Sequence, residues 1–488
     1  MPLDADACRA ALVARDPRFD GTFVVAVTTT GIYCRPVCPA RTPRVDRCRY
    51  FTLAAQAEAA GFRPCLRCRP EVAPGPAPID ARDRLVADCV AAIERGALVG
   101  RSQDDLAAEL GVSARHLARA VTAALGVTPG QLDRTRRMAL AKQLLHDTRA
   151  SLTDVALAAG FGSVRQWNAA FRAQFGTTPS QFRRRAGGPD ATGTLTVRLD
   201  ARPPFAGAAL TAFVAGRALT GVEEVDGSRY RRTLADGSAR GWLEVRVLDD
   251  ATPPGVRLTV SAGLAPRLVA VVARVRALFD LDAEPRAIAD HLADDPRLAA
   301  LVALAPGRRV PGAIDGFEVA VRTVLGQQVS VAAASTLAGR LVARFGEPLA
   351  TPHPGLTHLA PTAARLADAT VDDLAAIGLP RARAATLVAL AQATEAGDVT
   401  LAPTRDPAAA MAALERVPGI GPWTARYLAM RALAWPDAFP TGDLVLARQL
   451  GTTTARATEA ATARWRPWRA YAAMHLWAAA SAGRARGG

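Results

Sequence analysis

The sequence predicts a multidomain, mainly α-helical protein, and three observations support this. At 488 residues the chain is long enough for three or four domains that each bury a core. All seven cysteines lie before residue 90, and two similar helical units follow them. Alternating apolar and polar stretches between 193 and 260 predict strands, after which helices dominate. We therefore expect a small cysteine-rich α+β domain, a double helix-turn-helix, a small α+β subdomain and an all-α C-terminal domain.

Charge is distributed unevenly along the chain. Residues 1–189 carry 27 Lys and Arg against 17 Asp and Glu, which is +10 of the total net charge of +15. An arginine-rich composition explains a basic chain but not this asymmetry, so the front half indicates a nucleic-acid partner. No uncharged apolar run reaches membrane-spanning length, and no signal peptide opens the chain. We expect a cytoplasmic protein without a membrane partner.

The first domain is organised by two close cysteine pairs separated by about 25 residues, a spacing that suits tetrahedral zinc. An odd, clustered cysteine count argues for metal binding or catalysis rather than for a disulfide framework. By spacing alone, a zinc knuckle that only holds the domain together is the simpler interpretation. Three further cysteines are isolated and are expected to be packing residues. The pairs are Cys34 with Cys38 and Cys65 with Cys68; the isolated residues are Cys8, Cys48 and Cys89.

The context of the pairs resembles the N-terminal zinc domain of the Ada family, which repairs methyl phosphotriesters in DNA. Residues 30–36 have the sequence Thr-Gly-Ile-Tyr-Cys-Arg-Pro, and the resemblance runs from about 16 to 71. It implies that Cys34 is both a zinc ligand and the methyl acceptor, with Cys38, Cys65 and Cys68 as the other ligands. Zinc keeps a thiolate nucleophilic at neutral pH, and an uncharged triester allows it to attack the methyl carbon.

Methyl transfer to this domain also implies a switch in DNA affinity. Methylating one of four zinc-bound thiolates removes a negative charge that repels DNA phosphates, so DNA affinity should rise. The resemblance makes Thr30, Arg41 and Arg67 the expected phosphate contacts; solvated surface is the alternative.

The helical middle contains two units in which a helix ends at glycine and a serine then caps the next helix. This pattern is typical of a helix-turn-helix, whose second helix enters the major groove. The pair resembles an AraC-type DNA-binding domain, because the second unit carries Phe-Arg-x-x-Phe-Gly-x-x-Pro-x-x-Phe-Arg at 171–183. A helical packing domain is the alternative. The candidate base-reading residues are Arg115, His116 and Arg119 on one recognition helix, and Arg165, Gln166 and Asn168 on the other.

A linker at 186–189 precedes the second half, as a proline-rich linker at 74–78 precedes the helix-turn-helix pair. Strands at 195–199, 242–247 and 256–260, with a helix at 204–214, predict a small α+β subdomain. Further on, the sequence Val417-Pro-Gly-Ile-Gly-Pro-Trp423 predicts a tight hairpin between helices at 408–415 and 424–434, where backbone can approach a phosphate. An ordinary helix turn is the alternative for the two glycines alone.

The whole C-terminal stretch resembles the helix-hairpin-helix DNA glycosylases, in particular AlkA-type 3-methyladenine DNA glycosylase II, with the α+β subdomain similar to the AlkA N-terminal domain. The resemblance rests on the hairpin, on Asp443 twenty positions after Trp423, and on the aromatic-rich segment 464–477. It implies Asp443 as the catalytic carboxylate, which stabilises an oxocarbenium-like sugar. It also implies a pocket of aromatic rings that favours a cationic base. Its residues are Trp423, Tyr427 and Trp477, for which core packing is the alternative; Gly419 and Gly421 are the expected backbone contacts to DNA.

Further details follow from the same resemblance. Gln328 occupies the place of the side chain that fills the gap left by a flipped base; a buried helical glutamine is the alternative. The only lysine is Lys142, in the helix-turn-helix, so no Schiff-base lyase is expected. No cysteine follows Cys89, which excludes an iron–sulfur cluster and the O6-methylguanine repair domain usual in Ada proteins. A monovalent cation at the hairpin is implied, held by the carbonyls of Glu415, Val417 and Ile420.

The order of these domains indicates a bacterial alkylation-repair fusion acting at the nucleoid. We expect double-stranded DNA, alkylated and promoter, as the partner, RNA polymerase as the partner of the activator, and a monomer. One competing hypothesis is a methylation-responsive transcription factor with an inactive glycosylase-like half. Another is an enzyme whose front half only tethers it to DNA. The expected limits are 1–73 for the Ada-like domain, 81–186 for the AraC-type domain, 192–264 for the AlkA-like subdomain and 265–488 for the glycosylase domain.

Overall fold

The computed structural model describes residues 5–16, 19–70, 73, 84–148, 150–186, 194–404 and 406–486. The linker expected at 74–78 lies outside these residues. Of the linker expected at 186–189, only residue 186 is described. The described chain divides into two compact units. The first contains residues up to 203 together with 235–276 and 281–283; the second contains 204–234, 277–280 and the chain from 284 onward.

The cysteine-rich domain is a four-stranded sheet with two short helices. The strand order is β3-β1-β2-β4, with β1 antiparallel to both neighbours and β2 parallel to β4. Phe23 and Val25 pack against the first helix, which gives the domain a small core of its own. The elements are α1 (Ala5–Ala14), β1 (Val24–Val27), β2 (Ile32–Cys34), β3 (Cys48–Phe51), α2 (Ala54–Ala59) and β4 (Arg63–Pro64).

The helical middle confirms the two predicted helix-turn-helix units. Ser102, Ser113, Ser151 and Ser163 each cap a helix, because each hydroxyl accepts a backbone N–H of the first turn. A long helix joins the two units. The elements are α3 (Arg84–Glu94), α4 (Gln103–Glu109), α5 (Ala114–Leu125), α6 (Pro129–Asp147), α7 (Leu152–Ala158), α8 (Val164–Phe175) and α9 (Pro179–Ala186).

The α+β subdomain contains the three predicted strands and two more. The first predicted strand pairs antiparallel with the last, which pairs antiparallel with the middle one; the two additional strands form a hairpin. The predicted helix begins at Gly207 rather than at 204, since the amide of Ala206 donates to the Gly307 carbonyl at 3.2 Å. The elements are β5 (Thr194–Asp200), α10 (Gly207–Ala215), β6 (Glu223–Asp226), β7 (Arg229–Asp236), β8 (Ala239–Leu248) and β9 (Gly255–Ser261).

The remainder is helical, as predicted, and the helices between residues 316 and 431 pack around one large apolar core. The helix after the hairpin ends at Arg431, three residues earlier than expected, and Ala434 has a positive φ of 53°. The helices are α11 (Leu268–Leu278), α12 (Pro285–Ala293), α13 (Pro296–Leu304), α14 (Gly316–Leu325), α15 (Val331–Phe345), α16 (Ala363–Ala367), α17 (Val371–Ala375), α18 (Arg381–Glu395), α19 (Pro407–Glu415), α20 (Pro422–Arg431), α21 (Leu444–Leu450), α22 (Ala455–Thr462) and α23 (Arg469–Arg486).

Within the described part of the chain, the helices are too short or too polar to cross a lipid bilayer.

Candidate functional site

The four paired cysteines converge at one place. Their sulfur atoms all lie within 4.8 Å of one another, and none forms a disulfide. Tetrahedral zinc with Zn–S bonds of about 2.3 Å needs sulfur atoms about 3.8 Å apart, so the cluster is close to the required size. The donor set is also right, because four sulfur ligands are typical of structural zinc. The residues Cys34, Cys38, Cys65 and Cys68 therefore fit one zinc ion.

Cys34 differs from the other three cysteines in its access to solvent. It ends β2 and is half-buried, whereas the others are only 7–8% exposed. Of the four, only Cys34 combines a place in the cluster with an approach from outside. The isolated Cys8 and Cys89 are buried, as expected of packing residues, and Cys48 is half-buried.

Two cationic side chains that the sequence did not single out lie against the cluster. Lys142 on α6 is 1% exposed and donates to the carbonyl of Cys65 at 2.8 Å. The backbone N–H of Arg35 donates to the sulfur of Cys68 at 3.4 Å. Neither residue carries a sequence signal for this role, because both contacts join segments 33 or more residues apart. The helix-turn-helix domain thus contributes to the surroundings of the metal site.

A half-buried carboxylate links the strand that bears Cys34 to two helices of the double helix-turn-helix. Glu58 accepts from the hydroxyl of Tyr33 at 2.8 Å and from the amide of Gln174 on α8 at 2.7 Å. It also accepts from the hydroxyl of Thr135 on α6. Burial raises the pKa of Glu58. The residue preceding Cys34 is therefore joined to the second recognition helix through one carboxylate.

The predicted DNA contacts of the front half occupy accessible positions. Thr30 lies in the turn between β1 and β2, and Arg67 lies between two of the cysteines. Leu117 on one recognition helix and Trp167 on the other are buried, so the polar residues on the opposite face of each helix point outward. Exposed residues are Thr30, Arg41, Arg67, Arg115, His116, Arg119, Arg165 and Gln166, and Asn168 is half-buried.

In the second unit, Asp443 caps α21 and is surrounded by donors. Its Oδ1 accepts the backbone N–H groups of Val445 and Leu446, both at 2.9 Å, and the indole N–H of Trp477 at 3.2 Å. Its Oδ2 accepts the indole N–H of Trp423 at 3.1 Å. Because all four partners are donors, they match an acceptor-only carboxylate. The predicted carboxylate and two of the predicted aromatic residues thus form one hydrogen-bonded group.

The three predicted aromatic residues form a continuous wall. The rings of Trp423 and Tyr427 are parallel, with centroids 5.4 Å apart and an interplanar angle of 7°. Trp477 meets Tyr427 edge to face at 6.2 Å. All three are half-buried, so each keeps accessible surface. Their role as pocket residues stays a prediction.

Arg431 fixes the position of Tyr427 in this wall, a role that the sequence did not predict. Its guanidinium donates to the hydroxyl of Tyr427 at 2.8 Å and to the carbonyls of Pro311 and Gly312. Burial alone would raise the pKa of Tyr427, but the neighbouring guanidinium groups of Arg431 and Arg217 lower it. The phenol is thus fixed in place as a hydrogen-bond acceptor.

The hairpin between α19 and α20 has the backbone that the glycines predicted. Gly419 has a φ of +87°, and a Cβ there would lie 2.0 Å from the hydroxyl of Thr386. Gly421 is the N-cap of α20, with a φ of −92°, and has open space beside it. Among the expected cation-binding carbonyls, that of Val417 accepts the N–H of Ile420 at 3.0 Å. Glu415 is the last residue of α19.

The loop between α14 and α15 is tied to this hairpin by a residue next to the predicted one. The amide of Gln327 donates to the Gly419 carbonyl and to the Thr424 hydroxyl, both at 3.2 Å. Gln328 is exposed, lies outside any helix and has a φ of +54°. The alternative of a buried helical glutamine is therefore wrong. A polar residue with positive φ is uncommon and is often found at functional sites.

Four family models match successive parts of the chain. The metal binding domain of Ada matches residues 7–71, and a helix-turn-helix domain matches 106–185. The AlkA N-terminal domain matches 196–315, and the HhH-GPD superfamily of base excision DNA repair proteins matches 321–468. The four clustered cysteines fall within the first of these matches, and Trp423, Tyr427 and Asp443 fall within the last, whereas Trp477 lies beyond its end.

Known proteins are similar to the whole chain or to one of its halves. The chain is 42% identical over 483 residues, 97% of its length, to a probable bifunctional transcriptional activator/DNA repair enzyme AlkA of Mycobacterium tuberculosis, 96% of which is covered. It is 37% identical to DNA-3-methyladenine glycosylase 2 of Escherichia coli, over 57% of this chain and 95% of that protein. It is 36% identical to the bifunctional transcriptional activator/DNA repair enzyme Ada of Escherichia coli, over 35% of this chain and 47% of that protein.

Proposed function

The chain belongs to the family of bifunctional transcriptional activator/DNA repair enzymes that join an Ada-type part to an AlkA-type glycosylase, and from this we propose how its residues divide the work. Cys34 accepts a methyl group from a DNA methyl phosphotriester, and this switches on promoter binding. Asp443 serves the hydrolysis of the N-glycosidic bond of alkylated bases of the 3-methyladenine and 7-methylguanine class. The observation that carries the second assignment is the set of four donors that position the Asp443 carboxylate beside an aromatic wall.

The glycosylase step needs little help with the leaving base. Alkylation at N3 or N7 makes the purine cationic, so it departs with the bonding electron pair and becomes neutral without protonation. The positive charge passes to the sugar, where the negative carboxylate of Asp443 stabilises it. Water then bonds to the sugar carbon and loses a proton, which Asp443 or solvent takes up. Tyr427 and the two tryptophans present ring faces and edges to a base that has left the stack.

The residues favour a monofunctional enzyme that leaves an abasic site. A lyase needs an amine nucleophile for a Schiff base, and the chain has a single lysine. That residue, Lys142, is buried against Cys65 in the first unit and so is not available to a sugar. We further propose that this half uses no iron–sulfur cluster, and that the carbonyls of Glu415, Val417 and Ile420 hold a monovalent cation at the hairpin.

Cys34 is the proposed acceptor because it is the most accessible of the four clustered cysteines. A zinc ion held by Cys34, Cys38, Cys65 and Cys68 would keep the sulfur in its nucleophilic thiolate form. The thiolate forms a bond to the methyl carbon while the carbon–oxygen bond of the triester breaks. The electron pair stays on oxygen and restores the phosphodiester anion. The thioether product is stable, so each molecule reacts once.

DNA is the partner of both halves, through different residues. In the front half we propose Thr30, Arg41 and Arg67 as phosphate contacts and the exposed residues of α5 and α8 as base readers. In the second half we propose Gly419 and Gly421 as backbone contacts, with Gln328 filling the gap of the flipped base. We also propose a monomer that contacts RNA polymerase when it activates transcription at the nucleoid, with the domain limits expected from the sequence.

The first test measures base release. Purified protein, an Asp443→Asn variant and a control Asp398→Asn variant at an exposed position of the same unit are incubated with methylated duplex DNA, and released bases are separated by chromatography. We expect 3-methyladenine from the wild type and the control, and about 100- to 1,000-fold slower release from Asp443→Asn. No release by any of the three, with DNA binding intact, would favour a regulator with an inactive glycosylase-like half. Equal release by all would remove Asp443 from the mechanism.

A further inference from the structure

Arg35, the residue that follows the proposed methyl acceptor, is almost fully buried. It is 4% exposed, and its backbone N–H donates to the sulfur of Cys68 at 3.4 Å. Its guanidinium also donates to the carbonyl of Cys68 at 3.4 Å. Arg35 is therefore fixed to the cysteine cluster both through its main chain and through its side chain.

The same guanidinium joins two carboxylates from different domains. It makes two hydrogen bonds to Asp20, which lies in the stretch matched by the Ada metal binding domain. Its Nη2 donates to Oδ2 of Asp200 at 3.0 Å, and Asp200 ends β5, in the stretch matched by the AlkA N-terminal domain. Both carboxylates are at most 2% exposed. The other Asp200 oxygen accepts from Arg198 at 2.7 Å.

A second contact connects the same two stretches. Arg202, two residues beyond β5, donates from its Nε to the carbonyl of Asp20 at 3.2 Å. Asp20 is thus bonded to residues at and just beyond the end of β5, to Arg202 directly and to Asp200 through Arg35. Charges removed from water at such a junction are costly to leave without a partner, so the junction forms or breaks as a whole.

We propose that Arg35 couples the cysteine cluster to β5, so that the state of Cys34 and the stability of the first glycosylase strand depend on each other. One direction of this coupling, from Cys34 to β5, rests on the proposed role of Cys34 as methyl acceptor. Arg35 follows Cys34 in the chain and bonds to Cys68 of the same cluster, so conversion of the Cys34 thiolate to a thioether removes one negative charge from the cluster to which Arg35 is attached. The buried cation then loses part of its attraction to the cluster, and the position of its guanidinium against Asp200 is held less firmly. Coupling of this kind is reciprocal, so loss of the Asp200 carboxylate must loosen the cysteine cluster.

The first arm measures hydrogen–deuterium exchange of the full-length protein by mass spectrometry. The protein is incubated with DNA that carries a methyl phosphotriester, or with the same DNA unmodified, and the added methyl group is located by peptide mass. We expect amides of Thr194–Asp200 to exchange several-fold faster after methylation, because local opening becomes more frequent. In Asp200→Asn the strand exchanges rapidly in both states, and the control Asp250→Asn, at an exposed position, behaves as the wild type.

The second arm needs no methyl transfer. The zinc-loaded full-length protein is mixed with an excess of a chelator that changes colour when it binds zinc. The rate of zinc release is followed by the absorbance of the chelator. We expect release about tenfold faster from Asp200→Asn than from the wild type or Asp250→Asn, which is the usual effect of losing an outer partner of a metal site. Asp200→Glu, which keeps the charge, should recover part of the difference, and base release by each variant confirms that it is folded.

The outcomes separate this inference from the acceptor assignment. A methyl group found on a residue other than Cys34 removes the acceptor role, while the zinc-release arm still decides the coupling. Equal zinc release from Asp200→Asn and the control overturns the coupling. Methylation of Cys34 with unchanged exchange at Thr194–Asp200 overturns it as well.

Discussion

The two residues that we propose as reactive, Cys34 and Asp443, are held in opposite ways. Cys34 belongs to a cluster of sulfur atoms whose surroundings are built from segments far apart in sequence, with Lys142 and Arg35 against the cluster. Asp443 is held mostly by its own neighbourhood, since two of its four donors are the next helix amides and a third lies only 20 residues away. A residue that reacts once can be embedded in a network that its reaction disturbs. A residue that turns over must return unchanged, and a rigid local cap supplies that.

The largest expected effect is at the single-use site. Cys34→Ser should abolish methyl transfer from phosphotriester DNA, because a serine hydroxyl is not ionised at neutral pH and cannot attack the methyl carbon. Cys48→Ser, which changes a half-buried cysteine outside the cluster, should transfer methyl groups normally. Mass spectrometry of the intact protein measures both. Base release should be equal in the two variants; a loss confined to Cys34→Ser would show that the two sites are not separable.

The next effect is at the carboxylate and tests whether its local cap is sufficient. Trp423→Phe and Trp477→Phe keep an aromatic ring but each removes one indole N–H from Asp443. A hydrogen bond to a charged group contributes about 1.5–3 kcal/mol, so kcat/KM for base release should fall about 10- to 100-fold. Trp435→Phe, whose indole does not bond to Asp443, is the matched control. If both variants keep wild-type rates, the backbone amides alone position the carboxylate.

A third prediction concerns the hairpin, where backbone geometry rather than a side chain is at stake. Gly419→Ala forces a left-handed residue, at about 1–2 kcal/mol, and places a methyl group 2.0 Å from the Thr386 hydroxyl. We expect a lower melting temperature and about tenfold weaker binding to undamaged duplex DNA. Gly421→Ala has ordinary φ and open space, so it should be stable. Adding Thr386→Ser to Gly419→Ala should restore little, since the hydroxyl itself is the clashing group; full recovery would contradict the clash.

The same contrast explains what could be predicted from the sequence. The cysteine pairs and the serine caps are local patterns, in which spacing along the chain determines geometry. Strands β6 and β7 could not be predicted because their residues are mostly charged. Arg232 in β7 is buried only because Glu223 and Glu318 pair with it. The ion pair between Arg35 and Asp200 could not be predicted for a related reason. The two residues are 165 positions apart in the sequence, and no spacing rule connects such positions.

The smallest expected effect lies in the loop that the hairpin holds. Gln327 bonds to Gly419 and Thr424, whereas the neighbouring Gln328 is exposed with a φ of +54°. If Gln328 fills the gap left by a flipped base, Gln328→Ala should slow base release from duplex DNA about threefold, since extrusion of a base costs only a few kcal/mol in total. Release from single-stranded methylated DNA, where no gap forms, should not change.

Gln328→Gly separates the side chain from the backbone at this position. It removes the same side chain as Gln328→Ala but relieves the positive φ, so its stability should be equal to or above that of the wild type. Its base release from duplex DNA should be as slow as that of Gln328→Ala. Wild-type rates in both variants, with a slow Gln327→Ala, would transfer the role to Gln327 and show that fixing the loop to the hairpin matters more than filling the gap.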